Sequence, residues 1–302
     1  MIELPALDGA RHREVQLGSV RLHVAEIGPE DAQPLLLVHG WPENWWCWRK
    51  VAPRLAPDYR SLMPDLRGFG WSQATRGGYE KDRLANDLLA LLEKLGIERV
   101  GFVGHDWGAY LGMLIAMRGS DRLSALLALS VPHPWPSWSD RLNPWRLATF
   151  AYQIPLSAPI AGELLIRGGA VRSLLRRAAA KGTFTERDLD VFDRPLRSAE
   201  QARATVSLYR AFLLRELPLI AAGRFADAQI TVPVRLVVGK EDPIVQGADL
   251  GGFETHATNM LLERVPGVGH FIPEEAPDVV VRHARELFAV ERKDFRGRIV
   301  GH

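Results

Sequence analysis

Residues 100–109 read VGFVGHDWGA. The apolar run Val100–Val103 breaks at Gly104, Asp106 follows, and Gly108 closes the segment before a helical stretch, Tyr110–Met117. A buried strand, a sharp turn and a helix, with glycines two residues either side of the central residue, is the pattern of a nucleophile elbow. Small residues are needed there because the turn is strained and its neighbours press against backbone. By itself G-x-D-x-G is a weak motif, and an Asp at this point also reads as the N-cap of the following helix. Its place between an apolar strand and a helix is what gives it weight.

Outward from this segment, the chain alternates strand-like and helix-like stretches. Val15–Leu17 and Val20–Ala25 read as strands around a Gly18 turn, and Leu35–Val38 as a strand covered on both faces. Tyr79–Leu95 carries Leu84, Leu88, Leu91, Leu92 and Leu95 on one helical face, with Gly96 as the stop. Ser124–Leu129 reads as the next strand. From Val131 the texture changes, because Pro132, Pro134 and Pro136 cannot continue a helix or a central strand. To about Asp227 only helical stretches follow, and Arg172, Arg176, Arg177 and Lys181 read as a solvated face. Strand patterns resume at Val234–Val238 and Met260–Val265. A last helix, Pro277–Val290, buries Val280, Val281, Ala284, Leu287 and Phe288, and the remaining tail is polar. This predicts an α/β protein with a mostly parallel sheet, helices on both faces, and a helical insertion. The core is assigned to 1–131 and 228–302, the insertion to 132–227.

Aspartate at the apex selects the chemistry. A carboxylate attacking an ester or amide carbonyl gives a reactive anhydride. Against a saturated carbon bearing a leaving group it forms a stable ester, so the substrate is an alkylating one such as an epoxide or alkyl halide. The helix N-terminus behind Asp106 favours the ionised carboxylate. HGWP at 39–42 follows the strand Leu35–Val38, where the backbone N–H groups of Trp41 and Trp107 can converge on a tetrahedral oxyanion. His39 itself reads as structural, and Trp41–Pro42 is a candidate cis bond. Asp242, in GKEDP after the strand Val234–Val238, reads as the orienter of a histidine or as a turn residue. His270, in GVGHF between the last strand and last helix, is poorly explained by packing and reads as the general base. All three follow the carboxyl ends of strands, where open α/β sheets build sites.

Composition excludes several classes. Thirty-eight Lys and Arg against thirty-six Asp and Glu leave a net charge of +2, too little to argue for nucleic-acid binding. The single Cys47 reads as a small apolar residue in a reducing compartment. No apolar run approaches the ~18 residues of a membrane span, and no basic-then-apolar leader is present, so a cytoplasmic protein is expected. No HExxH, Cys/His cluster, P-loop or G-x-G-x-x-G after a strand is found, so neither a metal nor another cofactor is expected. Nine tryptophans, with Trp41, Trp45, Trp46, Trp48, Trp135, Trp138 and Trp145 near the proposed site or hinge segments, suit an apolar substrate pocket.

HGWPE at 39–43, DLRGFGWS at 65–72, GHDWGA at 104–109 and GHF at 269–271 resemble epoxide hydrolases of the α/β-hydrolase superfamily. The resemblance covers the whole core and extends into the insertion, which is similar to the family's helical cap. Its motifs are those of the Asp-nucleophile branch, shared with haloalkane dehalogenases. It implies two cap tyrosines that serve the leaving oxygen. Tyr209, in SLYR, resembles the second. Tyr152, in YQIP, is the candidate for the first from a shifted position, since the usual tyrosine falls where this chain has Ala148. A packing role for Tyr152 stands beside that reading. Trp41 replaces the asparagine common in dehalogenases, and the arginine-rich elbow of fluoroacetate-type dehalogenases is absent. The expectation is a cofactor-independent hydrolase acting on a small apolar epoxide, with a homodimer as a candidate assembly. A haloalkane dehalogenase, and a ligand-binding protein that has lost turnover, are the alternatives.

Overall fold

The computed structural model describes residues 3–119, 121–135, 151–245 and 250–298. Trp138, Trp145 and the Ala148 position lie outside these residues. Eight strands form one sheet in the order β1-β2-β4-β3-β5-β6-β7-β8. They are β1 (Arg11–Leu17), β2 (Val20–Ile27), β3 (Gln33–Val38), β4 (Tyr59–Pro64), β5 (Val100–His105), β6 (Leu123–Leu129), β7 (Val234–Gly239) and β8 (Met260–Val265). The β1–β2 and β2–β4 pairs are antiparallel, and every other pair is parallel. Strands β3, β5 and β6 are buried along their whole length, as continuous apolar runs with helices on both faces must be.

Alternation along β5 shows the two faces. A side chain at Gly101 would meet Phe288 of the last helix, whereas a side chain at Gly112 would meet Phe102. Gly112 belongs to α3 (Trp107–Met117), which packs beside α2 (Lys81–Lys94); α1 (Ala52–Leu55) packs with the last helix on the other face. That last helix runs from Pro277 to Arg298 and so passes the Val290 expected as its end. Strand β4, absent from the sequence reading, is another correction. Its YRSLMP carries Arg60 and Ser61 in succession and ends on proline, so no period declares it. It forms because it lies between β2 and β3.

Between β6 and β7 the described residues contain helices and no strand. They are α4 (Gln153–Ser157), α5 (Pro159–Arg167), α6 (Ala170–Ala178), α7 (Glu186–Leu196), α8 (Ala199–Ala211), a π-helical turn (Phe212–Glu216) and α9 (Leu217–Ala221). Thr185 and Asp188 form a reciprocal capping box on α7, and Ser198 caps α8. Of the basic face, Arg172 and Arg176 pair with Glu186 and Asp190. No helix among the described residues is long and apolar enough to cross a membrane.

At the elbow backbone packs against backbone. A Cβ on Gly108 would stand 2.1 Å from the Val38 carbonyl oxygen. Gly108→Ala must therefore push α3 away from β3, and overpacking of this kind costs ~1–3 kcal/mol or more. Urea unfolding should show a loss of at least that size. A variant as stable as the wild type would mean that the close approach is not needed.

Candidate active site

Three loops at the carboxyl ends of β5, β7 and β8 bring the predicted triad together. Asp106 sits at φ +50°, a left-handed conformation that a residue with a side chain adopts only when its surroundings enforce it. Its N–H donates to the Leu129 carbonyl at 3.0 Å and its carbonyl accepts from Tyr110, so β6 and α3 clamp the residue from both sides. Although it occupies the N-cap position of α3, its side chain makes no capping hydrogen bond.

Oδ2 of Asp106 accepts from the Trp41 N–H at 3.0 Å, and the Trp107 N–H also bonds this carboxylate. One of the two predicted oxyanion-hole amides, that of Trp41, therefore already holds Oδ2 in the free protein. Gly40 permits this, since a Cβ there would lie 2.4 Å from Oδ2. The Trp41–Pro42 bond is cis. Oδ1 is the other oxygen, 4.0 Å from His270 Nε2. Asp106 keeps 14% side-chain exposure, while His270 and Asp242 are closed to solvent.

His270 Nδ1 meets Asp242 Oδ2 at 2.9 Å, and the other Asp242 oxygen accepts from the Ile244 N–H at 2.8 Å. Asp242 is thus fixed before it fixes the ring. His270 Nε2 is buried and makes no hydrogen bond to the described residues. Burial works against a charged imidazole, but Asp242, then Asp106 and Glu43, outweigh it and hold His270 at about 9. Burial raises the Asp106 carboxyl, with His270, His105 and the two amides opposing that rise.

The tyrosines come together above this centre. Tyr209, fully buried in α8, lies edge to face with Trp41 (centroids 5.2 Å apart), Trp107 (6.2 Å) and Tyr152 (6.1 Å). Its hydroxyl is buried without a hydrogen bond to the described residues. Burial raises both phenols above their ordinary value; the Asp106 charge adds to each, and for Tyr209 the neighbouring Tyr152 adds more. The shifted Tyr152 therefore stands beside Tyr209 rather than elsewhere in the insertion.

Several charged residues were not assigned roles from sequence. His105, the last residue of β5, donates from Nε2 to the His270 carbonyl at 2.9 Å, and one proton lies between its Nδ1 and Glu43 Oε2 at 2.8 Å. Glu275 accepts from the N–H groups of Gly269 (2.7 Å), Phe271 (2.8 Å) and Ala180 (3.0 Å). The signal for the first pair was present: a histidine ending an apolar strand needs a buried partner. His39 donates from Nδ1 to the Gly40 carbonyl and accepts the Leu66 N–H on Nε2, so both ring nitrogens are committed to the loop. Among the described residues no group of three potential ligands could hold a metal ion.

The chemistry this arrangement supports is alkylation of Asp106 Oδ1 followed by hydrolysis of the resulting ester at Cγ. Comparison with known proteins agrees with the architecture. The family model described as alpha/beta hydrolase fold matches residues 33–277, and the chain belongs to that family. A soluble epoxide hydrolase from a Corynebacterium species is 28% identical, with 92% of this chain and 97% of the relative covered. Epoxide hydrolase 3 of Siraitia grosvenorii is 29% identical, covering 93% and 99%. The solved epoxide hydrolase of Vigna radiata superposes with a TM-score of 0.81 at 25% identity over 94% of this chain and all of that one.

Folding raises the His270 pKa from 6.5 to about 9, which fixes a sign. The imidazolium's contribution to stability is complete below about pH 6.5 and is lost as the pH rises through about 9. Melting temperatures across that window should show this component in the wild type and a smaller one in Asp242→Asn. Superimposable profiles would mean that Asp242 does not charge the ring.

Proposed function

We propose that this protein hydrolyses a small apolar epoxide to a vicinal diol through a covalent ester on Asp106. One observation carries the reading: two phenols, the partly buried Tyr152 and the fully buried Tyr209, converge beside a carboxylate held in a nucleophile's position. A halide leaves without a proton and is cradled by N–H donors. An epoxide oxygen leaves as an alkoxide and needs an acid.

Asp106 Oδ1 attacks the less hindered ring carbon as the C–O bond breaks. The leaving oxygen takes the electron pair and is protonated by Tyr209, with Tyr152 the second donor. Oδ2 becomes the ester carbonyl and stays on the Trp41 amide, with the Trp107 amide beside it. His270 then removes a proton from water in the gap between Nε2 and the ester, and hydroxide adds to Cγ. The oxyanion forms on Oδ2, which the Trp41 amide already holds, with the Trp107 amide as the second donor. Collapse expels the diol oxygen, which takes the proton held by His270, and the carboxylic-acid proton left on Asp106 returns by way of solvent to the Tyr209 phenolate, restoring the resting site. Asp242 orients the ring throughout. Residues 132–227 act as a cap over residues 1–131 and 228–302, contributing the acid while the core contributes nucleophile and base.

The substrate class is tested by offering terminal and aryl epoxides beside chloro-, bromo- and iodoalkanes and measuring diol and free halide. Diol should predominate by far. Halide release without diol would make the protein a haloalkane dehalogenase, and silence toward both would make it a binding protein.

His270→Gln separates the half-reactions, because only the second needs a base. Intact-protein mass spectrometry should show an adduct of one substrate mass on the folded variant. Tyr209→Phe should slow formation of that adduct by ~10²–10⁴-fold when no second donor compensates, and less if Tyr152 shares the task. Wild-type alkylation in the Tyr209→Phe/Tyr152→Phe double variant would remove the tyrosines from the mechanism.

A further inference from the structure

Lys81 breaks three local rules. It is a cation in the first turn of α2, where the helix dipole disfavours positive charge. Its side chain is 1% exposed, although lysine is almost never fully buried unless paired. It is also placed on the core but spends its hydrogen bonds on the insertion. Departures of this sort concentrate at functional sites.

The partners account for the burial. Glu216, at the end of the π-helical turn, accepts the Lys81 N–H at 2.7 Å and lies 3.3 Å from Nζ. It therefore caps α2 and neutralises the ammonium together. Nζ donates to the Leu208 carbonyl at 3.0 Å, which is the carbonyl of the peptide bond to Tyr209. The ammonium also sits over the Trp107 ring, 4.4 Å from its centroid, with Phe212 on a further side at 5.3 Å. Trp107 is the residue after Asp106 and supplies one of the amides on its carboxylate. Burial lowers the Lys81 pKa to about 8, with Glu216 the main opposing influence and Glu80 and Asp106 next, so the group is charged at neutral pH.

One side chain thus touches the peptide that carries the proposed acid and the indole attached to the proposed nucleophile. The π-helical turn is part of the same device. Its wider winding begins directly after α8 and turns Glu216 toward the start of α2. We propose that Lys81, held by Glu216, is a positioning residue for ring opening: it sets the separation between the Tyr209 hydroxyl and the Asp106 carboxylate. This rests on the epoxide reading above. Lys81 touches neither substrate nor reacting atoms, and acts through Tyr209, with the Trp107 ring as the surface its ammonium rests on.

A positioning role for the acid affects one half-reaction. Protonation of the leaving oxygen occurs in alkylation, whereas ester hydrolysis uses His270 and the two amides. Misplacement of a reacting group by about 1 Å costs up to ~100-fold in rate. The test is pre-steady-state kinetics on Lys81→Met and on Lys81→Met/Glu216→Met, the second of which leaves no unpaired buried charge. The probe is whichever epoxide of the panel the wild type turns over fastest. Alkylation, followed by tryptophan fluorescence, should slow by ~10–100-fold while hydrolysis of the ester keeps its wild-type rate. In a Tyr209→Phe background, Lys81→Met should add little, because its effect passes through the phenol.

Equal losses in both half-reactions, wild-type alkylation in the double variant, or additive losses in the Tyr209→Phe background would each overturn the positioning role. A double variant that does not fold makes the pair structural and overturns it too. If the wild type itself forms no diol from any epoxide, the proposed function fails first, and that outcome is distinct from a competent wild type whose Lys81 variants alkylate equally fast.

Discussion

A residue with a side chain held at φ +50° is the constraint from which the site is built. Nothing local to Asp106 favours that conformation. It is imposed by β5 lying at the centre of the sheet, by α3 starting immediately, and by glycines at 104 and 108 that let α3 approach β3 until backbone touches backbone. The cost of the strained conformation is of order 1–3 kcal/mol, to be met by the surrounding packing. The return is directional. An unstrained Asp here would cap its own helix, whereas this one makes no cap bond and presents its carboxylate to the Trp41 amide. Gly40 belongs to the same constraint, because the loop after β3 must pass within contact of that carboxylate.

The electrostatics follow from placing this carboxylate in a nearly closed site. Asp106 is destabilised by burial and supported by His270, His105 and two amides; His270 is destabilised by burial and supported by Asp242, Asp106 and Glu43. Each holds the other in its charged form. Under the proposed mechanism, alkylation converts Asp106 into a neutral ester and removes one of the charges that keep His270 protonated. The imidazole pKa then falls, and a ring charged in the free protein can give up its proton and serve as the base. The first half-reaction itself prepares the second. The same reasoning explains why Asp242 is locked on both oxygens: it must remain the fixed charge while Asp106 changes.

Much of this was legible in sequence because the signals are local. The elbow is a strand, a turn and a helix in consecutive residues, and the His270 loop is bounded by its own glycines. The expected parallel sheet and the helical insertion rest on apolar periods that tertiary packing did not override. What escaped the reading depends on partners far along the chain. Strand β4 has no pattern of its own and exists because β2 and β3 flank it. The burial of Lys81 and of His105 becomes intelligible only once Glu216 and Glu43 are seen against them, and nothing in the spacing of those residues announces a pair. Tyr152 is the intermediate case. Its segment suggested a role and its shifted position left packing as a rival; the fold sets its ring against that of Tyr209, a placement that both readings share.

The way the insertion is seated bears on how such a site can work at all. The proposed nucleophile and base sit on the sheet, and the proposed acid on α8, so catalytic geometry exists only while the two parts are registered. Beside the apolar packing and ion pairs, single polar contacts set the register: Trp41 Nε1 to Thr205, Asn44 to the Val191 carbonyl, Trp46 Nε1 to Asp188, Gln201 to the Gly70 carbonyl, and the His270 N–H to the Ala178 carbonyl. Three of these start from the loop that also supplies an amide to Asp106, and the last starts from the base itself. Hydrogen bonds are directional and individually worth only ~0.5–1.5 kcal/mol net, so a seam made of them fixes angle and distance well without great strength. An apolar seam of equal area would hold harder but tolerate sliding, since hydrophobic attraction has no preferred direction. For a reaction that needs its acid and its nucleophile on opposite sides of one small ring, accuracy of register matters more than strength of adhesion.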